Sequence, residues 1–454
     1  MDGVRVTEAE READGRLAVR AEVTVPAACP GCGTPSGKVH EVVVTRPRDV
    51  WVSGQVIDLF LVKRRLECPG RDCPRGTFTE WVPQVPPRCT ITRRLLDQAG
   101  NEIAGRGITP AGAARHAGIS WPAAHAAFAA KADEVLDEEP ALVAHLGIDE
   151  HRRGRPRWRK DTDSGEYVQL AGRWHVCFCD LDGGQGMPGQ VEGRTADDTA
   201  YWLAGATQDW RDAIEAVAID MCTIFLSAVK RMLPHARIAV DLFHVVQLAV
   251  KTVGDVRRRA IREKYGRRGK AGDPGYGIKH LLERNAENLS PDDFAKIIGT
   301  LDASAEGQQA ALAWIAREKL RDVLKLRARV AGSVPCERQV RGRLFSFCDW
   351  CAQHEDVPEL VTLANTIARR ENEIVTAVVT GVTNATSESL NRLAKLEARM
   401  AHGFRNPASQ RRRVRIACTR GTRRQTATGT KRASGTPGTA RTTRKVTNQK
   451  RHPG

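Results

Sequence analysis

The sequence predicts an α/β ribonuclease-H-like catalytic core with a helical insertion, preceded by a zinc ribbon and a helix-turn-helix. Three patterns carry that expectation. Two cysteine pairs flank a strand-like segment, and a short helix, a glycine and a second helix follow. Apolar runs ending in aspartate then alternate with helical stretches, in the order three strands, helix, strand, helix, strand.

The chain has 454 residues, enough for two or three domains, and 41% of them are hydrophobic, enough for a sizeable core. Its formal charge of +17 points to a polyanionic partner, most simply nucleic acid. Ten Lys or Arg and no acid fall in residues 419–454, so this tail supplies more than half of the excess. Rich in Thr, Gly, Lys and Arg, it is expected to be a basic disordered tail that strengthens DNA binding without reading sequence. No apolar run approaches the roughly 18 residues of a membrane span. The opening MDGVRVTEAEREADGRLAV has no signal-peptide core. The expectation is a cytoplasmic, nucleoid-associated protein with no membrane partner. Its twelve cysteines are then thiols or metal ligands before they are disulfides.

Residues 1–90 read as the zinc ribbon. Cys29-Pro-Gly-Cys32 and Cys68-Pro-Gly-Arg-Asp-Cys73 each place two thiolates on a tight turn, and four sulfurs can close a tetrahedral structural Zn2+ site. Residues 91–140 read as the helix-turn-helix. Thr109 caps PAGAARHA, Pro110 opens it and Gly118 ends it; Ser120 caps WPAAHAAFAAKADEVL. The second helix would enter the major groove led by Ser120, Trp121, Ala124 and His125; an alanine-rich helical hairpin is the plain alternative.

Residues 141–250 form the first part of the core. VAHLGIDE ends in Asp149, WHVCFCDLDGG and GQVEGRT follow as strands, and DDTAYWLAGAT is a helix. IEAVAID is a strand ending at Asp220, CTIFLSAVKRMLP a helix, and ARIAVDLFHV a fifth strand. Residues 251–380 read as the helical insertion, and 381–418 as the core's final helix with Glu388 in its first turn.

Asp149 and Asp220 end strands that are neighbours in this fold, and Glu388 is the third acid. Three such carboxylates can hold two divalent ions roughly 4 Å apart for phosphoryl transfer, and hard oxygens suit Mg2+ (or Mn2+). A helix-terminal Glu388 that only favours its own helix is the plain alternative. Asp241 also ends an apolar run, and strand order separates it from Asp220, whose strand lies beside that of Asp149.

CPGCG with FTEWVP, GIDEHRRG, AVAIDM with LPHARIAVDLFHVV, GDPGYGIKHLLERNAENL and SESLNRLAKLEARMAHGFRNPASQRRRVRI together resemble bacterial DDE transposases of the ISL3 insertion-sequence family, in their actinobacterial form. The resemblance covers roughly residues 25–420. It implies that Asp149, Asp220 and Glu388 are the metal-binding catalytic acids. The activity it implies is cleavage at terminal inverted repeats, followed by attack of the freed 3′-hydroxyls on target DNA by a homo-oligomer assembled on DNA. Asp241 and His244 resemble an auxiliary Cys-or-Asp-x-x-His signature. They could bond to the metal shell, position DNA or orient Asp220; direct metal ligation and a purely structural role are the alternatives. Ser389 stands where the family often has glycine.

Arg152 and Arg153, after Asp149, and Arg405, Arg411, Arg412, Arg413 and Arg415, after Glu388, are candidate DNA contacts or solvated basic faces. Glu150 points away from Asp149 if the strand continues. Cys177 and Cys179 read as buried thiols, and Cys336, Cys348, Cys351 and His354 as chance metal-like spacing. The rival functions are a domesticated or inactive transposase acting as a sequence-specific DNA-binding regulator, and a plain nuclease without strand transfer.

Overall fold

The computed structural model describes residues 1–427 except 14, 52–56, 137–139, 172 and 328–331. Most of the basic tail lies outside the described residues.

The N-terminal sheet contains β1 (Val4–Arg11), β2 (Leu17–Val23), β3 (Val39–Thr45), β4 (Ile57–Glu67) and β5 (Thr77–Thr79) in the order β1-β2-β4-β3, with β5 also paired to β4. β4 is its spine, because alternation buries Ile57, Leu59 and Leu61 on one face. The edge strand β1 is almost wholly exposed and largely polar, so it carries no burial pattern by which the sequence would show it.

Three helices follow: α1 (Arg93–Asn101), α2 (Pro110–Ala117) and α3 (Trp121–Leu136). Thr109 Oγ1 accepts from the Gly112 amide at 3.1 Å, Gly118 takes φ 62°, and Ser120 Oγ accepts from the Ala123 amide at 3.3 Å. The capped helix, glycine turn and second helix therefore form where the sequence places them. Ala124, expected to lead the second helix towards DNA, is instead fully buried with Leu95, Ala113, Phe128 and Ala132. Buried Asp49 joins sheet to helices, accepting from Thr92 Oγ1 at 2.8 Å and from Arg94 Nε at 2.6 Å. Burial alone would raise its carboxyl; the Arg94 guanidinium and Thr92 hold it below the usual range.

The central sheet holds β6 (His145–Arg152), β9 (Trp174–Asp180), β10 (Gly189–Glu192), β11 (Ala216–Ile219) and β12 (Arg237–Val240) in the order β10-β9-β6-β11-β12. A separate ribbon, β7 (Arg157–Lys160) with β8 (Tyr167–Ala171), lies between β6 and β9 in sequence. β6 runs on through His151 and Arg152, two residues beyond the GIDE run. β11 is buried at all four positions, as suits a parallel strand covered on both faces. Helices α4 (Ala196–Ala204), α5 (Gln208–Asp212) and α6 (Thr223–Met232) accompany it, and Phe178 stacks on Trp202 at 3.8 Å in the core.

The fifth strand stops at Val240, shorter than the sequence suggests. Asp241 accepts from the Phe243 amide at 2.9 Å and caps α7 (Leu242–Tyr265), so the helix begins inside the apolar run. Asp241 is therefore a strand-to-helix junction, and His244 lies in the first turn of α7 rather than on a strand.

The insertion continues through α8 (Pro274–Gly277), α9 (Pro291–Leu301), α10 (Ala305–Leu324), α11 (Glu337–Ala352), α12 (Pro358–Arg369) and α13 (Glu371–Thr380). α7 packs along α10, and α13 returns against β12. Arg317, fully buried, donates to the carbonyls of Leu282 at 2.9 Å and Arg284 at 2.8 Å, tying the connector to α10.

Two last helices, α14 (Ala385–Met400) and α15 (Pro407–Ala427), close the core. α15 runs past Thr419, into the segment expected to lack structure. Arg411, Arg412, Arg413 and Arg415 reach different partners, because helical periodicity spreads them over faces that α3, α14 and β10 flank. Arg412 pairs with Asp133; Arg413 donates to Glu397 at 2.8 Å and to the Gly107 and Ile108 carbonyls at 3.0 Å; Arg415 reaches the Pro188 carbonyl at 2.7 Å. Arg411 lies 3.7 Å from Glu192. No helix among the described residues is long and apolar enough to cross a membrane.

His175 is fully buried with both ring nitrogens unpartnered, 5.7 Å from the His151 ring, and burial pushes it down to about 3. An unfolded-chain histidine protonates near 6.5, so the unfolded state binds protons that the folded state refuses as pH falls below that value. His175 therefore leaves stability intact above about 6.5 and subtracts about 2 kcal/mol by pH 5. His175→Phe should flatten the fall in urea midpoint between pH 7.5 and pH 5; an unaltered fall contradicts the assignment.

Candidate active site

Parallel register pairs Ile219 of β11 with Ile148 of β6, which brings Asp220, just past the end of β11, beside Asp149, which lies within β6 rather than at its end as expected, because pairing with β9 carries β6 on to Arg152. Asp149 is 9% exposed. One of its oxygens accepts from the Glu150 amide at 2.7 Å and the other from Asn391 Nδ2 at 2.6 Å. Burial, then the charge of Asp220, pushes its carboxyl up to about 6 against those two hydrogen bonds.

Asp220 stands 3.2 Å from His244 Nε2 and accepts from Asn384 Nδ2 at 3.4 Å. That hydrogen bond from the imidazole raises His244 above its usual value, with the charges of Asp220, Asp241 and Asp149 adding to it. Burial raises Asp241, and the charges of Asp220 and Glu388 add to it. Glu388 lines the same cleft as Asp241 and is 3.3 Å from Arg392.

Asp149 and Asp220 thus lie side by side, and Glu388, on helix α14, faces the same cleft as Asp241. The tightest cluster is a different set: ligand atoms of Asp220, Asp241 and His244 lie within 4.8 Å of one another. Asp149 and Glu388 flank that cluster. Glu150 pairs with Arg194 at 2.6 Å, and it stays close enough to the site to feel the charges of Asp220 and His244.

Gly147 explains how α14 comes so close. A Cβ there would sit 2.1 Å from Ser387 Oγ and 2.9 Å from Asn384 Oδ1. Only a bare Cα lets the helix bearing Glu388 lie against the strand bearing Asp149. Gly147→Ala should cost roughly 1–3 kcal/mol by overpacking, and any activity of the site should fall by at least tenfold. A variant with wild-type stability and activity would remove this role from Gly147.

Sequence reasoning missed Asn384 and gave Asn391 no role of its own. Asn391 also faces His151 Nδ1 at 3.1 Å, so it fixes Asp149 from the far side. The signal was present: Asn384, Glu388 and Asn391 recur at i, i+4 and i+7 on one helical face.

The donor set suits hard divalent cations. Asp149, Asp220, Asp241 and Glu388 offer oxygen donors whose charges repel, and the buried Asn384 Oδ1 has no partner. An ion here would offset a repulsion that the protein otherwise leaves standing.

The N-terminal cysteines form a second centre. Cys29 and Cys73 sulfurs are 3.8 Å apart, and Cys32 and Cys68 sulfurs 3.5 Å. A tetrahedron of Zn–S bonds of about 2.3 Å needs edges of about 3.8 Å. A hydroxyl and an amide from Thr34 pull Cys32 down to about 6, whereas Cys68 is drawn down by the Gly70 amide but pushed further up, by burial and the neighbouring thiols, to about 12. Among the described residues these four sulfurs and the Asp220 cluster are the convergent ligand groups; Cys336, Cys348, Cys351 and His354 do not converge.

The candidate DNA contacts divide. Ser120 and Trp121 are exposed, and Trp121 stacks on the half-buried His125 at 4.8 Å. Arg152 is exposed over Trp174, and Arg405 is exposed. Arg153 is mostly buried and 3.0 Å from Glu192. Arg411 and Arg412 are partly exposed and have partners in Glu192 and Asp133.

Comparison with known proteins follows the same division. A family model described as a transposase, of the DDE class of ISL3 elements, matches residues 146–414. A model described as the zinc-finger of transposase IS204/IS1001/IS1096/IS1165 matches residues 26–73. The transposase for insertion sequence element IS1557 of Mycobacterium tuberculosis is 30% identical over 220 residues, 43% of this chain and 45% of that protein. The transposase for insertion sequence element IS1001 of Bordetella parapertussis is 24% identical over 301 residues, 64% of this chain and 66% of that protein. The chain thus spans about half the length of the first relative and just under two thirds of the second. The Drosophila P element transposase strand transfer complex aligns with 71% of this chain and 90% of that one at 10% identity and a TM-score of 0.37, too distant a likeness to carry a structural argument.

Proposed function

The chain belongs to the ISL3 family of DDE transposases, and on that premise we propose that it binds the terminal inverted repeats of an insertion sequence and catalyses metal-dependent DNA cleavage and strand transfer. The observation that supports this reading is the pairing that sets Asp149 and Asp220 side by side, with the helix that carries Glu388 seated on Gly147. Mg2+ or Mn2+ held there would activate water or a 3′-hydroxyl and stabilise the leaving oxygen.

The protein's own groups do the positioning. Asn391 and the Glu150 amide hold both oxygens of Asp149. His244 holds one oxygen of Asp220 and leaves the other for a ligand, and Asp241 braces that imidazole electrostatically. We therefore keep Asp241 and His244 as positioning residues.

The central sheet, with β6 between β9 and β11, supports a ribonuclease-H-like core. The Gly118 turn supports a helix-turn-helix, with Ser120, Trp121 and His125 towards the major groove. The four-cysteine centre supports structural Zn2+. Two ends must be joined, so the protein should act as a homo-oligomer on DNA.

The test is nicking of a repeat-end duplex by the purified protein in Mg2+. Repeat binding without any nicking, in the presence of intact acids, would favour a DNA-binding regulator; nicking without joining would favour a plain nuclease.

A further inference from the structure

Helix α7 presents His244 to Asp220, and beside that contact its next turns wall a cavity of about 590 Å3. Thr223, His244, Gln247, Lys251, Arg369 and Arg370 line it, and no carboxylate does. Lys251 and Arg369 are exposed, and neither enters an ion pair among the described residues. Arg370 is mostly buried, lies 4.0 Å from Glu373 and donates to the Met221 carbonyl at 3.3 Å, so it fixes the α12–α13 corner against the loop that follows Asp220. A second cavity of about 310 Å3 shares Leu248, Lys251 and Thr366 and continues between α7 and α12. The acids on that outer stretch, Asp255 and Glu359, are paired with Arg258 and with Arg259. The result is a groove that carries two cations without ionic partners among the described residues, Lys251 and Arg369, and that opens beside the His244–Asp220 contact.

Its side of the molecule matters. The helices that carry Ser120 and Trp121 are anchored through α15 near β10, at one edge of the central sheet. The groove lies beyond β12, at the opposite edge, where α13 packs. The acids lie between the two. DNA held by the N-terminal helices would approach from the β10 side, which leaves the β12 side open to a second DNA.

We propose that the α7–α12 groove seats backbone phosphates of the target DNA through Lys251, Arg369 and the polar rim of Gln247, Thr223 and Thr366. This rests on the transposase reading above. Cations on an uncharged polar rim bind the backbone of any sequence, which is what an attacked strand of variable sequence requires.

The full chain is assayed in two reactions: Mg2+-dependent nicking of an uncut repeat end, and joining of a pre-cut end with a free 3′-hydroxyl to plasmid DNA. In the Lys251→Ala/Arg369→Ala variant, joining should fall at least tenfold more than nicking. The slope of log joining against log salt should flatten by up to about 2, as for two lost phosphate contacts. Lys251→Arg with Arg369→Lys should restore joining. Equal loss in both reactions would mean that the groove holds the cut end, and overturns the proposal. Unaltered joining by the variant also overturns it, while leaving the transposase reading in place. A wild-type protein that neither nicks nor joins overturns both.

Discussion

Asp149→Asn should abolish cleavage and stabilise the protein. Nicking of a repeat end in Mg2+ should drop by at least about 10³-fold, about 4 kcal/mol of transition-state stabilisation. Binding to repeat DNA should persist, because Ser120, Trp121 and the cysteine centre are remote in sequence and fold. The stability change follows from the carboxyl's position near 6. Its folded value lies above the ordinary 3.8, so the folded state disfavours the charge, and the cost is present at any pH above about 6. Removing the charge while keeping an acceptor for Asn391 should gain roughly 1–3 kcal/mol at pH 8. Asp220→Ala should lose nicking to the same degree. Asp241→Asn should lose less, because its oxygen caps α7 and its charge acts through His244. Urea midpoints and nicking rates measured on one preparation check both signs. Activity surviving Asp149→Asn, or a clear loss of stability, would contradict the site.

Removal of zinc should have the other large effect. The ribbon has a small core, Ala21, Val23, Ile57, Leu59, Leu61, Val82 and Val85, and its cysteine end packs on little more than Leu66 and Phe78. Structural zinc contributes on the order of 10 kcal/mol to such folds, so Cys32→Ser or chelation should unfold the ribbon locally and cut repeat binding at least about 100-fold. The Asp49 joint to Arg94 carries the disturbance to the helices that follow. Metal analysis should give one zinc per chain, and re-addition of zinc should restore binding. Unchanged binding after verified loss of metal would reject this role.

The two cysteine pairs, the capped helix pair and the strand order were legible because each rests on local chemistry: turn glycines, an N-cap threonine, apolar runs with acidic ends. What the sequence hid depends on competition between neighbours. Asp241 looked like a strand end, yet its side chain caps a helix, which moved His244 onto α7. Arg411 and Arg412 read as a DNA-binding run, and the sequence could not show that their helix, set against α3, α14 and β10, also brings them beside Glu192 and Asp133. Gly147 revealed its purpose only when α14 was seen against it. Asn391 was visible as a spacing, but its grip on Asp149 spans 242 residues of sequence. The convergence of Asp220, Asp241 and His244 came from that same helix start.

That convergence leaves one decisive question, whether metal sits between Asp149 and Asp220 or among Asp220, Asp241 and His244. Crystals soaked in Mn2+ answer it by anomalous scattering. The account predicts a peak bonded to Asp149 and Asp220, with Glu388 turned towards it and His244 Nε2 still on Asp220. A lone peak bonded to His244 and Asp241, with Asp149 unliganded, would contradict it.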